Sequence, residues 1–114
     1  MNLEDLKHRF TLSVSMIEEK GKDYADARAL YNHLYELKKV VLAKCSQSSA
    51  GKTNAEKEML GLCSEEYKIH LHGLKEAESD YLRLEAEYER WKAETEATRT
   101  LISLEKETIK NFGG

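Results

Sequence analysis

The stretch that decides the fold is residues 60–112, LGLCSEEYKIHLHGLKEAESDYLRLEAEYERWKAETEATRTLISLEKETIKNF. Taken seven apart it reads Leu60, Tyr67, Leu74, Tyr81, Tyr88, Thr95, Ile102 and Ile109. The set three residues on reads Cys63, His70, Ala77, Leu84, Trp91, Thr98, Glu105 and Phe112. Spacings of three and four held in one register make an α-helical seam that packs against other helices. The core or oligomer seam is carried by Leu60, Tyr67, Leu74, Tyr81, Leu84, Tyr88, Trp91, Ile102 and Ile109. No proline interrupts it, and Thr53 followed by Glu56 has capping-box spacing. One helix over 54–112 is predicted, roughly 85–90 Å long at about 1.5 Å per residue.

Working outward, the loop before this helix is Ser46-Gln47-Ser48-Ser49-Ala50-Gly51-Lys52, small and polar. Before it, Tyr24, Ala27, Leu30 or Tyr31, Leu34, Leu37, Val41 and Lys44 recur at helical spacing. Leu3, Leu6, Phe10 and Val14 or Ile17 do the same nearer the start, where Asn2 is placed to cap and Glu4 and Asp5 suit the positive first turn. Ser13, Ser15, Thr11 and Val14 lower helix propensity, and Gly21 in Lys20-Gly21-Lys22 costs about 1 kcal/mol in a helix interior. The expected organisation is one helical domain over 1–114: a short helix at about 3–19, a second at 22–46, a loop at 47–53 and the long helix at 54–112. Gly61 and Gly73, off the seam, mark either weak points or close helix approach, and the tail Asn111–Gly114 should fray. The fold class is all-α, an elongated antiparallel helical hairpin of coiled-coil type with a short N-terminal helix. The second helix covers roughly 37 Å and the first adds roughly 25 Å, short of the long helix. Unpartnered apolar stripes remain, so the hairpins should self-associate into a homo-oligomer.

Composition agrees with long helices: 114 residues, no proline, six glycines, 34% charged and 40% hydrophobic. There is no apolar run of membrane-spanning length, and residues 1–20 carry Glu4, Asp5, Lys7 and Arg9 among their apolar positions, unlike a signal peptide. The expected location is the cytoplasm, with no membrane partner, where Cys45 and Cys63 stay thiols.

The net charge of −3 conceals an asymmetry. Residues 27–57 hold six basic and two acidic side chains; residues 58–114 hold eight basic and thirteen acidic. Arg28, Lys38, Lys39, Lys44, Lys52 and Lys57 thus form a basic zone around the turn. Tyr24, Tyr31 and Tyr35 lie near it, and lysines with stacking aromatics are how sequence-tolerant single-strand binders work. The candidate nucleic-acid set is therefore Arg28, Lys38, Lys39, Lys44, Lys52, Lys57 and Tyr35.

Other constellations read as structure. Gly51-Lys52-Thr53 lacks the earlier glycine of a phosphate loop, since Ser46 holds that position, and reads as a loop and helix cap. His70 and His72 are two apart and point to different sides of a helix, so no metal site is expected. Glu85, Glu87 and Glu89, with Glu94 and Glu96, fan around a helix as a solvated face. No nucleophile is paired with a base, so neither an enzyme nor a cofactor is expected.

Met1-Asn2-Leu3-Glu4-Asp5-Leu6 and the lysine-rich Lys38-Lys39-Val40-Val41-Leu42-Ala43-Lys44 resemble the UvsY-type recombination mediators of phage. Ala55-Glu56-Lys57-Glu58, then Tyr67, Leu71 and Leu74, Tyr88-Glu89-Arg90-Trp91-Lys92 and Arg99-Thr100 resemble short proteins encoded beside phage single-strand annealing genes. The resemblance implies a non-enzymatic accessory protein that binds single-stranded DNA and assists a recombinase, annealing or single-strand-binding protein in recombination or replication. The residues by themselves fit equally a coiled-coil adaptor, scaffold or inhibitor of a host protein that binds no DNA.

Overall fold

A computed structural model describes residues 2–112, and these form three helices: α1 over Leu3–Gln47, α2 over Asn54–Leu62 and α3 over Glu65–Phe112. The chain divides into two compact units. One contains the segments up to Ala25 and from Arg83; the other is Asp26–Leu82.

Each unit pairs a stretch of α1 with a stretch of α3, antiparallel. In the first unit Ser13 meets Thr95, Lys20 meets Glu87 and Tyr24 meets Glu85, so one number falls as the other rises, and Arg9 reaches Glu94 from the turn before Ser13. In the second, Tyr31 stacks on Tyr81 and Lys44 pairs with Glu66. The all-α helical hairpin follows from the seam. In α3 every seam position from Tyr67 to Glu105 is buried or half-buried. Its partner in α1 is Leu3, Leu6, Phe10, Ser13, Ile17, Lys20, Tyr24, Ala27, Tyr31, Leu34, Lys38, Val41 and Cys45, again all buried or half-buried. Both stripes repeat every seven residues, the spacing of helices that coil around each other. Ile17 and Tyr31 take the seam, whereas Val14 and Leu30 are 42% and 53% exposed.

Two element boundaries differ from expectation. Residues 3–19 and 22–46 are not separate helices, because α1 runs unbroken through Gly21. The missing side chain is put to use there: a Cβ on Gly21 would stand 3.1 Å from the Tyr88 ring, so the glycine admits a close aromatic neighbour. That ring also stacks on Tyr24, with centroids 5.5 Å apart. The stretch 54–112 is conversely not one helix. Leu62 ends α2, and the Ser64 hydroxyl accepts the Tyr67 N–H at 3.3 Å and donates to the Gly61 carbonyl at 2.7 Å. Ser64 followed by Glu65 and Glu66 has the form of an N-cap with an acidic first turn, a start signal inside the apparent seam.

The remaining ends are held as the sequence suggests. Asn2 Oδ1 accepts the Asp5 N–H at 2.8 Å, and Thr53 Oγ1 accepts that of Glu56 at 3.1 Å. The Glu56 carboxylate reaches back to the Lys52 N–H at 2.9 Å, one residue before the reciprocal partner of a capping box. Asn111 and Phe112 still belong to α3, while Gly113 and Gly114 of the expected frayed tail lie outside the described residues.

The core is thin. Buried apolar side chains are Leu6, Cys45, Tyr67, Leu74 and Ala77, and the first unit's centre is polar, with Ser13 and Thr98 fully enclosed and Thr95 nearly so. The Thr95 hydroxyl lies 3.0 Å from both the Ser13 oxygen and the Trp91 carbonyl.

Candidate interaction surfaces

The second unit carries the whole candidate nucleic-acid set, yet does not gather it. At about 100° per residue, Arg28, Tyr35 and Lys39 fall within an arc of roughly 40° on α1, and Lys44 lies about 160° round the helix from Arg28. Arg28, Lys39 and Lys52 are exposed. Lys38 occupies a seam position, with its ammonium 5.9 Å from the centre of the Tyr35 ring. Lys44 is engaged by Glu66 at 3.1 Å. Lys39 and, from α2, Glu58 both line a shallow hollow with Leu42, Ala43 and Ser46. Lys57 is half-buried. Arg28, Tyr35 and Lys39 remain as one exposed face.

Of the three tyrosines near the basic zone, Tyr24 and Tyr31 turn onto the seam. Tyr31 stacks on Tyr81 with centroids 5.5 Å apart and planes 7° from parallel, and burial, followed by the Glu78 carboxylate, raises its phenol above the ordinary 10.0. Tyr35 alone of the three is open, at 57% exposure. His70 also serves packing: its Nε2 lies 2.8 Å from the Leu34 carbonyl, which fixes a proton on that nitrogen. Among the described residues no three His, Cys, Asp or Glu side chains cluster as a metal site requires. Cys45 is buried, Cys63 is exposed, and both are free thiols.

Of the proposed seam residues, Tyr67 and Leu74 are buried and Tyr81, Leu84, Tyr88, Trp91 and Ile102 half-buried. Leu60 and Ile109 are open instead, at 47% and 45%. Leu60 leaves the seam because it belongs to α2, across the break at Ser64. Ile109 lies beyond Glu105, and from 106 to 112 every residue is exposed.

A second class of surface is therefore apolar. Leu101, Leu104, Ile109 and Phe112 are 43–86% exposed near the end of α3, and Met59, Leu60 and Leu62 are 45–67% exposed on α2. Periodicity foretold the first group only in part, since Ile109 and Phe112 are seam positions but Leu101 and Leu104 are not. No helix among the described residues is long and apolar enough to cross a membrane. Comparison with family models, curated proteins and solved structures finds no match.

Proposed function

We propose that the chain is a non-enzymatic helical interaction module that acts by pairing its exposed helix faces with helices of other chains, its own copies among them. The observation that carries this reading is the balance of surface. One chain exposes 8401 Å², whereas a compact monomer of its 13.1 kDa exposes about 6,400 Å². Among the described residues five apolar side chains are buried, while fourteen large ones are more than two-fifths exposed. Exposed apolar side chains that lie close together, as Met59, Leu60 and Leu62 do on α2 and Leu101, Leu104, Ile109 and Phe112 do on α3, mark association sites. Sedimentation equilibrium of the intact chain tests this. A mass that rises with concentration to a multiple of 13.1 kDa is expected. A mass of one chain at every concentration would contradict it.

The phage-type accessory reading, with single-stranded DNA as a further partner and a recombinase or annealing protein beside it, is supported by the exposed face of Arg28, Tyr35 and Lys39. It expects oligonucleotide binding that weakens with salt. Arg28→Glu together with Lys39→Glu removes two phosphate contacts and should lower the slope of log K against log salt by roughly 1.4. No binding at low salt would remove this reading and leave the protein-interaction module standing.

A further inference from the structure

Leu101, Leu104, Ile109 and Phe112 have a spacing that is the same read forwards and backwards: apolar, two residues, apolar, four residues, apolar, two residues, apolar. Lys106 and Glu107 stand at its centre. At about 100° per residue the four apolar side chains fall within an arc of roughly 140° on α3. All are exposed, Phe112 most of all at 86%. From 106 to 112 every residue of α3 is exposed, although Ile109 and Phe112 continue the register of the seam. We infer that this end of α3 pairs antiparallel with the same segment of a second copy, across a twofold axis between Lys106 and Glu107.

A twofold interface must be complementary to itself, each residue meeting its counterpart's partner. Antiparallel pairing about the centre sets Leu101 against Phe112 of the other copy and Leu104 against Ile109, so every large apolar side chain meets another. Charge favours a second copy over a charged partner. Residues 101–112 hold Lys106 and Lys110 against Glu105 and Glu107, a net charge of zero. The adjoining stretch 83–100 holds four basic and five acidic side chains, a net charge of −1. The segment is both neutral and, from 106 to 112, exposed at every residue, so it can approach a second copy without like-charge repulsion.

This rests on the interaction-module reading, and the test separates the two. Sedimentation equilibrium of the full chain is compared with Leu104→Glu/Ile109→Glu, both exposed positions, with circular dichroism and thermal unfolding confirming that the variant keeps its helices. The expected result is twice 13.1 kDa for the parent and 13.1 kDa for the folded variant. For direction, Cys45→Ser/Cys63→Ser/Glu96→Cys carries a spin label. Antiparallel pairing separates the two labels by roughly 30 Å along the helix. Parallel pairing brings their backbones to about 10 Å, the spacing of packed helices, and would overturn the inference. An oligomer that survives the double substitution also overturns it, while leaving the general reading intact. A parent that stays monomeric ends both.

Discussion

Lys20 stands on the buried seam of α1, where a heptad repeat ordinarily places an apolar side chain. Its ammonium lies 3.1 Å from the Glu87 carboxylate, and the side chains are 23% and 34% exposed. Hydrogen bonding to Glu87 holds Lys20 above its ordinary 10.5, and hydrogen bonding to Lys20 holds Glu87 below its ordinary 4.5. A raised lysine stabilises the fold below its unfolded value and loses that contribution as pH climbs through the folded one. A lowered glutamate stabilises above its unfolded value and loses it as pH falls through the folded one. The pair thus contributes fully between about 4.5 and 10.5 and fades beyond either limit. In Lys20→Met the urea midpoint should fall less steeply on acidification below 4.5 than in the parent, because Glu87 has lost its main stabilising partner. Identical acid limbs would show that the pair carries no linkage. Sequence alone made Lys20-Gly21-Lys22 a weak point, since neither the distant carboxylate nor the Tyr88 ring is visible in local propensity. The cap at Thr53 depends only on neighbours three residues away, and was legible.

Heptad periodicity exposed the helices themselves, and their ends depended on particular contacts. The α3 seam from Tyr67 to Glu105 was readable because helical spacing alone decides which side chains share a face. The break at Ser64 was masked because Leu60 and Cys63 happen to keep register with Tyr67. Gly61 and Gly73 looked equivalent, and packing separates them. A methyl group on Gly73 meets nothing within 4 Å. One on Gly61 lands against Ser46 at the end of α1, 2.9 Å from its backbone nitrogen and 3.0 Å from its Cα, with its Oγ closer still. Gly73→Ala should therefore stabilise by up to about 1 kcal/mol through helix propensity. Gly61→Ala should destabilise by about 1–3 kcal/mol, because backbone must move to admit it. Urea denaturation of the two variants checks this; a shift of the same sign in both would mean that α2 does not rest on Ser46 as described.

Across the whole molecule, charge and apolar surface tell different stories. The basic zone seen in the sequence is divided in three dimensions, because Lys44 is paired, Lys38 lies on the seam and Lys57 is half-buried. Sequence counting recovers net charge but not which side of a helix carries it. The expectation of self-association rested on stripes longer than the chain's own partners, and the exposed end of α3 supports it. If those faces are covered by another copy, association favours the folded chain by mass action, and apparent stability depends on concentration. The most direct measurement is the thermal midpoint of the unmodified chain over a wide range of concentration. A midpoint that rises steadily as the protein is concentrated is the expected result. A midpoint that does not move would mean that the exposed apolar faces meet water in the folded protein, and would contradict the account.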